Sequence, residues 1–493
     1  MIDINSMKDK ILEFAIIGKL SEQCIEDGNA EELYNKLTSE RKRLVNNKII
    51  KNKEFEPILE DKGLFEIPNN WKWIRLGEIS SIISKGTTPR GGNVAYTDSG
   101  IGFLRAENLV GYDRIDCSNM KYVDEDTHLG FLKRSILEDG DVLISIAGTL
   151  GRTGLVRSDN LPLNINQAIA FIRFASKEAI NVEYVSYILN APTIQKELGN
   201  KKVDMAIPNL SLDVIANSMI PLPTLAEQKR IVEKIRNSFE CLDKIDELQT
   251  QYASDIDVLK SKLIDAGIRG KLTEQLPEDG TAEELYVSVT EEKKQIVKDR
   301  KGREDKNIKE LDDEVPYELP TNWKWVRFGE IGLFKKGPFG SALTKAMFVP
   351  KSDDTVKVYE QQHAIQKNSE LGIYYITREY FDDKMSGFEV LPGDIIVSCA
   401  GTIGETYILP DEIEQGIINQ ALMRVSLVPS VNKRFFQYYF DANLKKTAQE
   451  ESNGSAIKNI PPFDVMKNWY FPLAPLKEQE RIVDKIDELL SLM

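Results

Sequence analysis

The chain has 493 residues, of which 41% are apolar, and its 64 Lys and Arg against 78 Asp and Glu leave a net charge of −14. This composition is that of a globular protein, and the length predicts about three domains. It excludes a membrane-spanning protein, because no apolar run approaches the ~20 residues that a bilayer-spanning helix needs. The N-terminus lacks the pattern of a secretory signal, so we expect a cytoplasmic protein.

The N-terminal segment begins an internal repeat. Residues 7–34 align without gaps on residues 259–286, with 16 identities in 28 positions. The same spacing then pairs Pro68–Ile79 with Pro320–Ile331, and both segments contain Trp-Lys-Trp. Self-similarity of this kind indicates a duplicated structural unit, so we expect two copies of one scaffold.

The repeat continues further along the chain, but it is interrupted in each copy by a segment without sequence similarity. The matched motifs are Gly140-Asp141 with Gly393-Asp394, Ala147–Gly151 with Ala400–Gly404, and Asn166-Gln167-Ala168 with Asn419-Gln420-Ala421. In contrast, Ser80–Asp139 and Gly332–Pro392 have nearly equal lengths and share no convincing run of identities. We call these two segments the inserts. A duplicated scaffold with divergent inserts predicts that the two copies share one mechanical role and that their inserts recognise two different targets.

A long helix is predicted from Leu225 to Ile264, because its apolar residues recur every 3.6 positions on average. It starts at the capping-box pattern Thr224-x-x-Glu227 and ends before Gly270, a typical glycine cap. Its predicted core residues are Ile231, Ile235, Phe239, Leu242, Leu259 and Leu263. A shorter helix is predicted from Thr281-x-x-Glu284 to about Arg300, followed by a charged linker, Lys301–Glu314.

The repeat also predicts a second long helix that is divided between the two ends of the chain. Its C-terminal part contributes Ile482, Ile486 and Leu490 to the core, and its N-terminal part begins where Met7 matches Leu259. We expect both parts to lie close together and to pack antiparallel against the uncut helix, in a pseudo-two-fold, almost circular arrangement. At ~1.5 Å per residue, a helix of about 45 residues spans roughly 65 Å.

The acidity belongs to the helical parts. Trp71–Leu222 has 16 basic and 17 acidic residues, and Trp323–Ala474 has 17 and 18, so the rest of the chain carries −12. The two globular domains can therefore present local basic surfaces to DNA phosphates. Candidate DNA contacts lie in Gly-, Lys- and hydroxyl-rich loops or near predicted strand ends: Lys85, Thr87, Thr88, Arg90, Arg105, Asn108, Lys201, Lys202, Lys335, Lys336, Ser341, Gln361, Gln362, His363, Lys458 and Asn459. Each such loop by itself is also typical of an ordinary solvated turn.

Catalytic motifs are missing from the sequence. Asn459-Ile460-Pro461-Pro462-Phe463 differs from the [DNS]-P-P-[FY] motif of amino-methyltransferases by the extra Ile460 and is more typical of a proline-bounded turn. No G-x-x-x-x-G-K-[ST] phosphate loop occurs, and Ala147–Gly151 is better interpreted as a strand-to-strand turn than as a cofactor loop. The four cysteines are far apart, and His128 and His363 occupy unmatched positions. We therefore expect no catalytic residues, triad, disulfide framework or metal site.

Together these motifs resemble the specificity subunit of Type I restriction-modification systems, over essentially the whole chain. The similar residues are the Gly18-Lys19-Leu20 and Gly270-Lys271-Leu272 helix ends, the Trp-Lys-Trp entries, and the run Pro221–Val232 with its second copy at Pro472–Val483. The resemblance implies an α+β fold, with two mixed α/β target-recognition domains joined by two long antiparallel coiled-coil helices. It places the N-terminal helical region at 1–64, the recognition domains at 65–222 and 317–474, the central helical region at 223–316, and a C-terminal helix that packs with the N-terminal region at 475–493.

The resemblance further implies that each domain reads one half of a bipartite, asymmetric DNA target. The expected partners are double-stranded DNA, two methyltransferase subunits that use S-adenosylmethionine, and restriction subunits that use ATP and Mg²⁺; the chain itself needs no cofactor. Two alternatives stay open. One is a self-contained DNA enzyme, which the missing motifs disfavour, and the other is a two-repeat protein-interaction scaffold without DNA binding, which the net acidity permits.

Overall fold

A computed structural model describes residues 1–55, 58, 63–89, 91, 96–200, 210–300, 307–312, 314–451 and 461–493. They divide into two compact units, Met1–Gln251 and Tyr252–Met493. No helix in these ranges combines the length and apolar character that crossing a bilayer requires. The mixture of helix and sheet, repeated in two units, confirms the predicted fold class.

The first unit contains three kinds of element: helices of the repeated scaffold, strands of the main sheets, and short strands of the insert. Its helices are α1 (Ile4–Ile16), α2 (Ala30–Asn46), α3 (Leu76–Ile79), α4 (Glu125–Leu129), α5 (Val182–Ile188), α6 (Pro192–Asn200), α7 (Leu212–Ala216) and the first part of α8 (Leu225–Ile268). Its strands are β1 (Lys72–Arg75), β2 (Ser80–Lys85), β3 (Ile101–Leu104), β4 (Leu109–Gly111), β5 (Arg114–Ile115), β6 (Lys121–Val123), β7 (Val142–Ser145), β8 (Thr153–Leu155), β9 (Leu163–Ile165), β10 (Ile169–Phe174) and β11 (Met219–Leu222).

The second unit contains the end of α8 and a parallel set of elements. Its other helices are α9 (Ala282–Asp299), α10 (Gln361–Gln366), α11 (Arg378–Tyr380), α12 (Lys433–Glu451), α13 (Phe463–Met466) and α14 (Leu476–Ser491). Its strands are β12 (Lys324–Arg327), β13 (Gly332–Lys336), β14 (Thr355–Tyr359), β15 (Tyr375–Thr377), β16 (Glu389–Val390), β17 (Ile395–Ser398), β18 (Thr406–Ile408), β19 (Gly416–Ile418), β20 (Leu422–Leu427) and β21 (Tyr470–Leu473).

Both units have the same topology in their two main sheets, whereas β16 adds a fourth strand to the insert sheet of the second unit and β4-β5 form a separate pair in the first. The order β2-β10-β7-β8 in the first unit matches β13-β20-β17-β18 in the second, and the pair β1-β11 matches β12-β21. The inserts also correspond, because β3 lies between antiparallel β6 and parallel β9 just as β14 lies between antiparallel β15 and parallel β19. The central strand of each insert therefore pairs in the same way although the insert sequences share no identity run.

In the first unit, α1 packs antiparallel against α8. Ile2 contacts Gln249 and, further along α1, Lys8 forms an ion pair with Asp243 at 2.5 Å. Ile231 and Ile235 of α8 are fully buried, and Phe239 and Leu242 are also buried. The side chains of these four predicted core residues are therefore buried, and the N-terminal helix runs antiparallel to α8.

In the second unit, α14 packs against the end of α8. Ile482 and Ile486 are fully buried against Gly267, whereas Leu263 and Leu490 are half-buried. The prediction that Leu259 belongs to the core is wrong, because its side chain is 47% exposed. The apolar side chains of α14 pack against Ile264 and Ile268 of α8, and Leu259 lies outside this core. That α14 also lies beside the N-terminal region stays a prediction.

The helix ends follow the predicted signals, with one difference. Gly270 ends α8 with a positive φ of 68°, and Thr281 caps α9 in a complete capping box. Thr224 accepts the backbone N–H of Glu227 at 3.3 Å, but the Glu227 side chain does not return to Thr224. It is fully buried and accepts hydrogen bonds from Trp71 at 2.8 Å and Ser21 at 2.8 Å.

The second copy of this motif makes the equivalent contacts. Glu478 is fully buried and accepts hydrogen bonds from Trp323 at 3.0 Å and Gln275 at 2.9 Å. The glutamine that follows each glutamate also makes the same contact in both units. Gln228 accepts the backbone N–H of Asn181 at 2.9 Å, and Gln479 accepts that of Asn432 at 2.8 Å. The Glu-Gln pair of the repeat therefore joins the long helices to the entry segment and to the start of α5 or α12.

Of the predicted linker Lys301–Glu314, residues 301–306 and 313 lie outside the described ranges. The remainder is attached to the second unit, since Asp312 accepts hydrogen bonds from Arg327 and Tyr470, each at 3.0 Å.

Candidate nucleic-acid interface

The Asn-Gln-Ala motif of the first unit and the next residue, Ile169, bring together the ends of three strands. The N–H of Asn166 binds the carbonyl of Leu104 at the end of β3 at 2.9 Å. The N–H of Gly86, just after β2, binds Ile169 at 3.0 Å, and the N–H of Ile146, just after β7, binds Ala168 at 2.8 Å. The motif therefore brings the loops after β2, β3 and β7 to one edge of the domain.

The second unit repeats this arrangement bond for bond. The N–H of Asn419 donates to the carbonyl of Tyr359 at the end of β14 at 3.0 Å. The N–H of Gly337 donates to the carbonyl of Leu422 at 2.9 Å, and the N–H of Cys399 donates to that of Ala421 at 2.8 Å. In both copies the Asn side chain accepts the backbone N–H two residues later, at 3.0 Å. This local bond fixes the turn, as Asn side chains commonly do.

A glycine lets the loop after β2 or β13 lie directly across that turn. A Cβ on Gly86 would stand 2.1 Å from the carbonyl oxygen of Ile165, and a Cβ on Gly337 would stand 1.8 Å from that of Asn419. No side chain can occupy such a position without moving the loop. Lys85 and Lys336, immediately before these glycines, are therefore carried to the gathered edge, and both are exposed.

In the first unit three further predicted contacts, Thr87, Thr88 and Arg105, lie at or near this edge. Thr87 and Thr88 follow Gly86 and are half-buried. Arg105 follows β3, where its guanidinium pairs with Glu107 and binds the carbonyl of Asn119 at 3.4 Å.

In the second unit Lys335, Ser341, Gln361 and Gln362 are also brought to the edge. Lys335 is exposed, with its ammonium 4.8 Å from the centre of the Phe388 ring, and Ser341 is exposed in the same loop as Lys336. Gln361 begins α10 directly after β14 and donates to the carbonyls of Ala400 and Thr402. Its neighbour Gln362 donates to Glu360 at 2.9 Å.

The predicted base contacts Asn108 and His363 need correction. Asn108 is 2% exposed and accepts the N–H of Arg105 at 2.8 Å, whereas His363 is fully buried and accepts the N–H of Glu360 at 2.8 Å. The two side chains hold equivalent turns after β3 and β14. Because their polar atoms are already bonded within the protein, we assign them to supporting the loops instead of contacting bases.

Five predicted residues, Arg90, Lys201, Lys202, Lys458 and Asn459, lie outside the described ranges, as does Ile460 of the Asn459–Phe463 motif. The repeated turns Ala147–Gly151 and Ala400–Gly404 connect antiparallel strands, β7 to β8 and β17 to β18, so the strand-to-strand interpretation is confirmed. Among the described residues, no group of three or more His, Cys, Asp or Glu is arranged to hold a metal ion.

Three exposed side chains at the edges were missed by the sequence reasoning. Gln167 and Gln420 are exposed at the centre of the gathered loops, and Phe339, between Lys336 and Ser341, is 88% exposed. The signal for the glutamines was present, because the Asn-Gln-Ala motif is identical in both copies. Phe339 gave none, because an apolar residue in a loop does not by itself predict a contact.

Two copies of one sheet scaffold, each with a different set of side chains at the same edge, define a two-domain recognition protein. The profile of the Type I restriction modification DNA specificity domain matches residues 68–251 and 320–493. The chain therefore belongs to the Type I restriction-modification DNA specificity family and carries its domain twice.

Curated relatives are similar over nearly the full chain. The chain is 23% identical to the Type I restriction enzyme EcoAI specificity subunit of Escherichia coli, and 24% identical to the EcoEI specificity subunit of the same species. Each alignment covers 99% of this chain and 89% of the relative. The MjaVIII specificity subunit of Methanocaldococcus jannaschii is 26% identical over 42% of this chain and 47% of its own length.

Solved structures share the fold. A chain from a study of complex assembly and conformational transition of the type I R-M system superposes with a TM-score of 0.58 at 17% identity. The HsdS subunit from Thermoanaerobacter tengcongensis superposes with a TM-score of 0.51 at 18% identity. Both matches cover 87% of this chain and 92% of the other chain.

Proposed function

We propose that this protein is the sequence-specific DNA-recognition subunit of a Type I restriction-modification complex. Each recognition domain reads one half of a bipartite, asymmetric target. The observation that carries the proposal is the pair of matched edges, where one backbone arrangement presents different side chains, such as Thr88 in the first unit and Phe339 in the second. One scaffold with two different reading surfaces is what an asymmetric target requires.

The side chains at the edges have the chemistry for this task. Lys85, Lys335 and Lys336 supply positive charge for phosphates, which fix register without reading sequence. Arg105 and Gln361 at the strand ends, together with Gln362, Thr87, Thr88 and Ser341, are donor and acceptor types that read base edges. The near-neutral charge of each domain supports this role despite the net charge of −14.

We propose further that the chain is not itself catalytic. Two methyltransferase subunits would bind S-adenosylmethionine and methylate the target, and restriction subunits would use ATP and Mg²⁺. The chain would need no cofactor of its own and would act in the cytoplasm, where the cell's DNA is accessible. Incubating the purified chain with DNA and labelled S-adenosylmethionine tests this, and methyl transfer by the chain alone would contradict it.

We propose that the coiled coil sets the spacer between the half-sites and docks the methyltransferase subunits. Inserting one heptad between Glu247 and Ser254 should then change the number of unspecified base pairs in the methylated motif and leave both half-sites intact. A changed half-site with an unchanged spacer would refute this role.

The recognition role is tested by exchanging one insert. Replacing Ser80–Asp139 with the insert of another family member should change one half-site of the methylated motif, and replacing Gly332–Pro392 should change only the other. Each exchange is the control for the other. If either exchange altered both half-sites, or neither did, independent reading by the two domains would be excluded.

The net charge of −14 favours one second candidate, a two-repeat protein scaffold that does not touch DNA. A gel shift with the methyltransferase partner present separates the two functions. DNA recognition predicts binding that weakens steeply as salt rises, because bound lysines and arginines release counterions from the phosphates. The scaffold predicts no shift beyond that of the partner alone.

A further inference from the structure

The two edges differ at several positions but agree at others, which include the exposed Gly-Thr of the turns after β7 and β17 and, at two further positions, a Lys and a Gln. The residue before the close-packed glycine is Lys in both units, Lys85 and Lys336, and the central residue of the gathering turn is Gln in both, Gln167 and Gln420. All four side chains are exposed.

No structural task accounts for the two glutamines. The turn is fixed by Asn166 and Asn419, whose side chains accept the N–H of Ala168 and Ala421, each at 3.0 Å. Within the described part of the chain, the side-chain amides of Gln167 and Gln420 make no hydrogen bond. The same amide, exposed at the same point of both edges, is therefore available to a ligand.

We infer that Gln167 and Gln420 contact the sugar-phosphate backbone of DNA, one in each half-site, beside Lys85 and Lys336. This inference rests on the proposed DNA recognition and extends it. Side chains that differ between the edges can read different bases, whereas side chains that are identical must contact what the two half-sites share. The backbone is shared everywhere, and the glutamine amide donates hydrogen bonds that a phosphate oxygen accepts.

Replacing each glutamine with glutamate tests the inference. Gln167→Glu and Gln420→Glu keep the size of the side chain, remove its donors and place a negative charge against the phosphate. Asn35→Asp is the matched control, because it makes the same amide-to-carboxylate change at an exposed position of α2. Full-length variants would be assembled with the methyltransferase partner, and their affinity measured for cognate DNA and for DNA with both half-sites scrambled.

Each glutamate should weaken binding to both DNAs by roughly tenfold, since a hydrogen bond to a charged group is lost and like charges are opposed. The methylated motif should stay the same. Gln167→Ala and Gln420→Ala should weaken binding by a smaller factor, because they remove only the donor.

Two results would overturn the inference. Binding by both glutamate variants equal to that of Asn35→Asp would exclude any DNA contact by these residues. Weakening on cognate DNA alone, with a changed methylated motif, would show a base contact in place of a backbone contact. Failure of the wild-type complex to prefer cognate DNA would instead contradict the proposed function, so the two failures are distinguishable.

Discussion

The indole N–H of Trp71 donates a hydrogen bond to Glu227 at 2.8 Å, and the pair Trp323 and Glu478 repeats this contact at 3.0 Å in the second unit. Each contact joins the first residues of a globular domain to the start of a long helix. Both carboxylates are fully buried, so each depends on its donors for compensation of the lost hydration.

Glu227→Ala should therefore lower the free energy of unfolding of the first unit by about 3 kcal/mol, because the donors of Trp71 and Ser21 lose their acceptor. Glu233→Ala, at an exposed position of the same helix, should change it by less than about 0.5 kcal/mol. Hydrogen exchange resolved by peptide measures each unit separately. Equal effects of the two substitutions would show that the buried carboxylate of Glu227 does not stabilise the first unit.

One ion pair between a globular domain and a long helix is reversed in polarity between the units. Glu183 on α5 pairs with Arg236 on α8, whereas Arg434 on α12 pairs with Asp487 on α14 at 2.9 Å. Arg434→Glu should cost about 0.5 kcal/mol, a small value because both partners are about half exposed. Adding Asp487→Arg, which gives the polarity of the first unit, should restore most of the loss at low salt. Additive losses in this double-mutant cycle would contradict the pairing.

Burial lowers the pKa of His363 below its ordinary value. The folded state therefore binds a proton less readily than the unfolded state, whose histidine titrates near pH 6.5. The stability of the second unit should fall as the pH drops below about 6.5. His363→Asn should reduce this dependence, because asparagine does not titrate and can accept the Glu360 N–H as Asn108 accepts that of Arg105.

The comparison is made by denaturant unfolding of both proteins between pH 5.5 and 7.5. The variant should be less stable at the upper pH, because it loses the 2.6 Å hydrogen bond from His363 to Leu371. Identical slopes with pH would show that His363 titrates alike in the folded and unfolded states.

Gly337→Ala should weaken binding to the half-site that the second domain reads by at least roughly tenfold. Its Cβ would stand 1.8 Å from the carbonyl oxygen of Asn419, so the loop carrying Lys336 and Ser341 must move. Gly387→Ala is the control, since no atom lies within 4 Å of its Cβ position. Unchanged DNA affinity in Gly337→Ala, with a folded second unit, would exclude this loop from the interface.

The sequence predicted the scaffold well because its signals are local. Gly270, the Thr281 capping box and the apolar period of α8 each act within a few residues, and each appears where predicted. Leu259 failed because its burial depends on where a distant helix, α14, reaches along α8. Glu227 was predicted to complete a capping box, but its side chain accepts tertiary hydrogen bonds instead. The sequence could not separate the two roles, because both need the same residue type.

The candidate site was predictable only in outline. Strand ends were located correctly, which brought Arg105 and Gln361 to the edges. Residue type alone could not separate Arg105 from Asn108, because the difference is burial in a turn that only the folded chain defines. The common pairing of the central strand of each insert was also invisible, since sheet pairing constrains backbone hydrogen bonds more than side-chain identity.

The measurement that tests the central claim most directly is single-molecule sequencing of adenine methylation in cells that carry this chain, its methyltransferase partner, or both. The account predicts one bipartite, asymmetric motif that appears only when both are present. Exchange of the first insert should then alter one half of that motif. A motif that appears without this chain, or no motif when both proteins are expressed and assembled, would contradict the account.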